Sequence, residues 1–100
     1  MALRLVVAPL AERDLADIAA FISHDSEQAA FKVLTRIENV ANLFVSRPFL
    51  GPAVSRPNRV GLRKMVVAPY IIFYRVTVEE LQIVRVLHSS RDISDELLAP

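Results

Sequence analysis

Side chains that could carry out chemistry are few in this sequence. It contains two histidines, His24 and His88, and no cysteine, so it offers neither thiolate ligands nor closely spaced histidine ligands for a metal. His88 is followed by Ser89, Ser90 and Asp92, but neighbouring residues at a strand end rarely converge into a nucleophilic triad. The two glycines stand ten residues apart and form no phosphate-binding pattern. We therefore predict no metal and no cofactor.

Cleavage of RNA without a metal is the one catalytic reaction that the residues could support. It requires a base for the 2′-hydroxyl, a cation for the phosphorane and an acid for the leaving oxygen. Arg63, His88 and Arg91 could fill these roles together with a tyrosine. Tyr70 and Tyr74, however, lie in a segment of apolar alternation, which favours a core or sheet-face role for both.

The basic residues are concentrated in the middle of the chain. Residues 45–78 contain six basic and no acidic side chains, whereas both flanking segments are net acidic and the whole chain carries +1. These cations could solubilise a loop and cover sheet edges with their stems. We favour the alternative, a patch that meets phosphates or acidic side chains of a partner. The candidate contact residues are Arg56, Arg59, Arg63, Lys64, Arg75 and Arg91.

The length and composition predict one domain. Of 100 residues, 53% are hydrophobic, and a domain of this size buries only about two-thirds of its unfolded surface. We expect a single domain over residues 1–100, with a tail at 93–100 that can be flexible and some apolar surface left for a partner. No apolar run reaches about 18 residues, the length of a membrane helix, so no membrane contact is expected. The lack of cysteine suits a cytoplasmic protein.

The first part of the sequence predicts a strand and an amphipathic helix. Residues 3–8 form a short β-branched run that ends before Pro9. From Leu10 onward, apolar residues recur every three or four positions, the period of a helix with one buried face. Asp14 and Asp17 fall early in this helix, where the helix dipole favours acids.

The rest of the sequence predicts a second helix, a loop and three strands. The second helix is about five turns long, with Asp25 as its N-cap and Gln28 returning the capping bond. Residues 46–61 hold three of the six prolines and both glycines, which indicates a loop. Three apolar runs with short breaks then favour antiparallel hairpins. The runs cover Leu62–Val67, Tyr70–Thr77 and Leu81–His88, and a last helical turn covers residues 95–98.

This order of elements, β-α-α-β-β-β, predicts an α+β fold. The two helices should form a hairpin that packs on one face of a mainly antiparallel sheet of about four strands, because their apolar stripes need a sheet to cover them. The other face of the sheet would stay partly open. The predicted core consists of Leu15, Ile18, Ile22, Leu34, Ile37, Phe44, Ile72, Tyr74, Ile83 and Val86.

Several segments, taken in order, resemble the RelE/ParE toxin superfamily. They are similar to its opening helix, its mid-chain Pro-x-x-Gly loop, its central strands, and its closing strand and turn. The segments are Pro9–Ile18, Arg47–Gly51, Gly61–Arg63 with Tyr70–Val76, and Arg85–Asp92. The last of them resembles the ParE branch in particular. The resemblance covers residues 3–93 and implies the fold of that superfamily.

The resemblance implies the toxin component of a type II toxin–antitoxin module, of the kind that serves plasmid stabilisation. A cognate antitoxin would fold on the apolar toxin surface and form a hetero-oligomer with it. ParE-like members inhibit DNA gyrase, whereas RelE-like members cut messenger RNA on the ribosome. Ile71 stands where the ribonuclease branch carries an arginine, and the acidic tail suits an RNA contact poorly.

We therefore favour a gyrase inhibitor that is not an enzyme, with inhibition carried by Arg63, Arg75 and Arg91. The alternative is a ribosome-dependent mRNA endonuclease that uses Arg63, His88 and Arg91. A non-toxic interaction module with the same fold is the third reading.

Overall fold

The secondary structure of the chain is given by a computed structural model that describes residues 3–56 and 60–98. The elements follow the predicted order and confirm the α+β fold. They are β1 (Arg4–Val7), α1 (Pro9–Ser23), α2 (Glu27–Ser46), β2 (Leu62–Val67), β3 (Tyr70–Val76), β4 (Glu80–His88) and a C-terminal 3₁₀ turn (Asp95–Leu98).

The four strands form one sheet in the order β1-β4-β3-β2. β3 pairs antiparallel with β2 on one side and with β4 on the other. β1 pairs in parallel with the first half of β4, from Arg4 opposite Glu80 to Val7 opposite Ile83. The sheet is therefore mainly antiparallel, as predicted, and the second half of β4 extends beyond its neighbour β1.

Both helices begin at residues other than those predicted. α1 begins at Pro9 rather than Leu10. Amide groups in the first turn of a helix have no partner within the helix, so the missing N–H of proline costs nothing at this position. The N-cap of α2 is Ser26, whose Oγ accepts the Ala29 amide at 3.1 Å. The predicted cap, Asp25, was wrong, since its own amide still donates to the Ile22 carbonyl in the final turn of α1.

The helical hairpin covers one face of the sheet, where the main core lies. Six residues of the predicted core are buried there: Ile37, Phe44, Ile72, Tyr74, Ile83 and Val86. Leu15, Ile18 and Ile22 are half-buried and pack against this cluster, and Leu34 is also half-buried. At the centre, the rings of Phe44 and Tyr74 stack with centroids 4.1 Å apart.

The opposite face of the sheet is more covered than the sequence suggested. Strand side chains that alternate with those of the main core form a second cluster there together with Leu98 of the C-terminal turn. The strand members are Leu62, Phe73, Val84 and Leu87. Val54 from the long loop and Ile93 and Leu97 from the tail pack against it. The described part of the tail therefore forms part of the fold and covers the middle of this face, while Val66 on β2 stays 59% exposed and the β1 side keeps an open groove.

Candidate binding surface

Arg63 reaches from β2 toward the loop that follows α2. It lies opposite Tyr74 in the β2–β3 register. Its Nη1 donates to the carbonyl oxygens of Gly51 at 2.8 Å and Phe49 at 3.4 Å, and its guanidinium lies 4.8 Å from the centroid of the Phe49 ring. Arg63 is thus engaged within the protein, where it positions this loop.

Gly51 fixes the same loop against the core. Its amide donates to the hydroxyl of Tyr74 at 2.8 Å, and Tyr74 is fully buried. A Cβ at position 51 would lie 2.5 Å from the carbonyl oxygen of Lys64, a distance that no other residue type could accept without a backbone shift. The glycine of the Pro-x-x-Gly segment is therefore required by packing.

Beyond Gly51 the chain runs beside the first half of β2. The amide of Val54 donates to the Leu62 carbonyl at 2.8 Å, and the amide of Lys64 donates to the Pro52 carbonyl at 3.1 Å. An isolated antiparallel bridge at Ala53 lies between these bonds. This short pairing covers part of a sheet edge that would otherwise be open to another strand.

Arg56 connects the long loop to the C-terminal tail. Its Nη2 donates to the carbonyl of Ile93 at 2.6 Å, close to where Val54 and Ile93 pack on the second cluster. Arg56 therefore helps to hold the tail over the sheet. Arg59, another predicted contact residue, lies outside the described residues.

Tyr70, His88 and Arg91 line one cleft between α1 and the end of β4, with a volume of about 240 Å³. The ring of His88 meets Tyr70 edge-on, with centroids 5.4 Å apart. Its Nδ1 accepts the amide of Ser90 at 3.1 Å, which leaves Nε2 as the nitrogen available to an outside group. The cleft therefore brings a histidine, a tyrosine and an arginine together.

Two carboxylates line the same cleft. Asp14 and Asp17 both reach it from α1. Asp17 is exposed and forms no side-chain hydrogen bond or ion pair within residues 3–56 and 60–98. A phosphate approaching His88 and Arg91 would meet this negative charge, which weakens the cleft as an RNA site.

Arg63 and His88 lie at opposite ends of the sheet. Arg63 pairs with Tyr74 and His88 pairs with Tyr70, four positions apart along β3, or about 13 Å at the usual rise of a strand. Of the three residues considered for RNA cleavage, His88 and Arg91 share a cleft, and Arg63 is remote from it.

Arg75 lies on the sheet face opposite the helices. It stands across from Leu62 on β2 and Gln82 on β4. Its guanidinium makes no hydrogen bond or ion pair with any part of the chain that the structure describes. Lys64 is exposed on the neighbouring strand, diagonal to Arg75. Arg75 lines an open groove of about 480 Å³, together with Val6, Ala8, Pro9, Leu10, Gln82 and Val84.

The sequence analysis missed a buried ion pair between Asp14 and Arg85. Arg85 Nε and Nη2 donate to Asp14 Oδ2 and Oδ1, both at 2.8 Å, and Arg85 is only 8% exposed. Hydrogen bonding to Asp14 raises the pKa of Arg85 despite the opposing effect of burial. Asp14 is therefore a buried partner and not a solvent-facing acid near a helix start. The sequence feature that could have predicted this pair is the position of Arg85 inside an apolar strand, since a buried guanidinium requires an anion.

A metal site and a membrane-spanning helix are both absent from the described residues. Among them, no group of three or more histidine, aspartate or glutamate side chains is placed to hold a metal ion. None of the helices described is both long and apolar enough to cross a membrane. Three surface features of the described residues are candidates for binding: the loop that carries Phe49, the His88 cleft and the groove at Arg75.

Three solved structures that share this fold come from toxin–antitoxin systems. A chain of the chromosomal ParDE toxin–antitoxin system from P. aeruginosa matches with a TM-score of 0.71 and 22% identity, covering 87% of this chain and 96% of that one. A chain of the RelBE2 toxin–antitoxin complex from Mycobacterium tuberculosis matches with a TM-score of 0.67 and 18% identity, over 88% and 99% of the two chains. The E. coli DinJ–YafQ complex gives a TM-score of 0.63 at 13% identity, over 90% and 96%. The fold is that of RelE/ParE toxins.

Sequence comparison identifies the branch. The ParE toxin family of type II toxin–antitoxin systems (parDE) matches residues 5–93. Y4kP, a candidate toxin of Sinorhizobium fredii (strain NBRC 101917 / NGR234), is 35% identical over 80 residues, which cover 77% of this chain and 78% of that protein. The chain belongs to the ParE toxin family and is a ParE-type toxin of a toxin–antitoxin system.

Proposed function

We propose that this toxin inhibits DNA gyrase in the cytoplasm by docking on it, without catalysing a reaction itself. A cognate antitoxin neutralises it by binding its open apolar surface. Family membership supports the toxin class, and the arrangement of the cations supports inhibition by binding.

The observation that carries this proposal is the separation of Arg63 from His88. A metal-free ribonuclease must bring its cation and its acid or base to the same phosphate. Here Arg63 lies four strand positions from His88, about 13 Å, and donates to loop carbonyls. Arg91 does share the His88 cleft, but the exposed carboxylate of Asp17 lines that cleft too and opposes a phosphate. Inhibition by docking needs no such convergence.

The groove at Arg75 suits an antitoxin segment that folds on binding. Its walls are largely apolar, with Val6 and Val84 in the sheet and Leu10 at the rim. Arg75 has no partner among the described residues, so a carboxylate on the antitoxin could pair with it. An amphipathic segment with an acidic residue would satisfy both features.

A supercoiling assay tests the proposed target. Purified toxin should block supercoiling of relaxed plasmid by DNA gyrase and should leave ribosome-bound message intact. Cleavage of the message with unaffected supercoiling would assign the chain to the ribonuclease class, with the His88 cleft as its site. Normal growth of cells that overproduce the chain alone would instead favour a non-toxic interaction module.

Charge reversal tests the antitoxin site. Arg75→Glu should reduce neutralisation by the cognate antitoxin when the two are co-expressed, while toxicity in its absence persists, so that Arg75 serves antitoxin binding and not inhibition. Lys32→Glu on the exposed side of α2 is the matched control, because it changes charge equally and lies outside the groove. Equal neutralisation of both variants would contradict docking at Arg75.

A further inference from the structure

Phe49 projects from the molecule although it is a large apolar side chain. It is 67% exposed, and its neighbour Leu50 is 42% exposed. Exposed aromatic residues are common anchors of protein interfaces, because they bury a large area with few rotatable bonds. Exposure alone identifies no contact, since Phe21 and Phe31 on the helices are similarly exposed. What distinguishes Phe49 is how firmly it is held.

The loop that carries Phe49 is fixed on both sides. Phe49 lies within a turn that is closed by the amide of Leu50, which donates back to the Arg47 carbonyl at 3.1 Å. After it, the amide of Gly51 is bonded to the buried hydroxyl of Tyr74. Arg63 binds the carbonyls on both sides of Leu50 and lies over one face of the Phe49 ring. A side chain held in this way loses little conformational entropy when it enters a partner.

The charge around Phe49 is uniformly positive along the chain. Arg47 is exposed two residues before it, and Arg63 lies against its ring. No acidic residue occurs between Glu38 and Glu79. A partner that receives Phe49 would therefore gain from carboxylates around its own pocket.

We propose that Phe49 is the anchor residue through which the toxin binds its protein target. It enters an apolar pocket that is rimmed by carboxylates, and Arg47 meets that rim. This rests on the proposed function only in taking DNA gyrase as the target. A projecting side chain needs a preformed pocket, which a folded enzyme offers. An antitoxin segment that folds on binding fits the concave groove at Arg75 instead.

The test compares Phe49→Ala with Phe31→Ala. Phe31 lies on α2 and is 72% exposed. Each substitution therefore removes a largely exposed phenyl ring, and each should leave the midpoint of thermal unfolding nearly unchanged. Each variant is assayed for inhibition of gyrase supercoiling and for growth arrest at equal cellular abundance. Phe49→Ala should raise the inhibitory concentration about thirtyfold, the loss typical of an interface anchor, and should relieve arrest. Phe31→Ala should behave as the wild type.

Each result decides between the two proposals. If wild-type toxin and Phe49→Ala inhibit gyrase equally, the anchor proposal fails and the gyrase proposal stands. If both alanine variants lose activity to the same extent, the effect is not specific to Phe49 and the anchor proposal also fails. If the wild type arrests growth without inhibiting gyrase, the gyrase proposal fails, and relief of arrest by Phe49→Ala but not by Phe31→Ala still supports the anchor.

Discussion

Asp14 on α1 accepts a backbone hydrogen bond from β4 where that strand has no β1 neighbour, and it forms an ion pair with Arg85 at the same point. The pairing of β1 with β4 ends at Ile83, and just beyond it the amide of Val86 donates to Asp14 Oδ2 at 3.0 Å. The same carboxylate also accepts hydrogen bonds from Nε and Nη2 of Arg85. Arg85 Nη1 also donates to the Leu97 carbonyl at 2.8 Å. One buried pair thus joins α1, the sheet and the C-terminal turn.

Breaking this pair should destabilise the protein strongly. Asp14→Asn leaves a buried guanidinium without its anion, for which we expect a loss of about 3–5 kcal/mol in the free energy of unfolding. Urea denaturation measures it. Asp17→Asn is the control, because Asp17 lies on the same helix and is exposed; it should change stability by less than about 0.5 kcal/mol. Similar losses in the two variants would contradict the buried role of Asp14.

Replacing both partners should be milder than replacing one. In the double variant Asp14→Leu with Arg85→Met, no buried charge is left unpaired, so its loss of stability should be smaller than that of either single variant. A double-mutant cycle by urea denaturation measures the coupling. Simple addition of the two single losses would show that the residues do not act as a pair.

Removing the hydroxyl of Tyr74 should loosen the loop. Tyr74→Phe leaves the buried amide of Gly51 without an acceptor, which should reduce the free energy of unfolding by about 1–3 kcal/mol and increase hydrogen exchange at that amide. Tyr70→Phe is the matched control. Tyr70 is also buried, and its hydroxyl makes no hydrogen bond within residues 3–56 and 60–98. An unchanged exchange rate at Gly51 would rule out the anchoring role of Tyr74.

The Arg4–Glu80 ion pair predicts a weak dependence of stability on acidic pH. Hydrogen bonds from Arg4 and then Gln82 hold the pKa of Glu80 below its usual value. A lowered carboxyl pKa adds stability that is fully present above the ordinary glutamate range and is lost as the pH falls through the folded-state value. Stability of the wild type should therefore fall more below about pH 4 than that of Glu80→Gln, as measured by thermal unfolding at several pH values. Glu79→Gln, at the neighbouring exposed position, should follow the wild type; parallel curves for all three proteins would contradict the prediction.

The C-terminal turn should contribute to stability although it comes last in the chain. Leu98 is completely buried in the second cluster, so Leu98→Ala should cost about 2–5 kcal/mol. Val78→Ala, at a position that is 96% exposed, provides the baseline. Calorimetry that gives equal midpoints for the two variants would show that the tail detaches in solution.

Much of the fold could be predicted from the sequence because it depends on near neighbours. Apolar residues recur with the helical period through Ile37 and Phe44, and they alternate through Ile72 and Tyr74. Each pattern specifies which side of the element is apolar. The order of helices and strands then leaves few ways to bury those sides. The β2 bounds, Leu62–Val67, coincide with the prediction. The basic middle segment was also evident from the sequence alone.

Only the tertiary structure decided what the charged residues do. Asp14 and Arg85 are 71 positions apart, and no local pattern specifies a pair at that separation. Arg63, taken from the sequence as a contact residue, engages the loop that carries Phe49, and the tail covers a face that was expected to be more open. A charged side chain reaches several ångströms and binds whichever groups folding brings near it. Its role is therefore set by packing, whereas the periodicity of apolar residues is set by the chain itself.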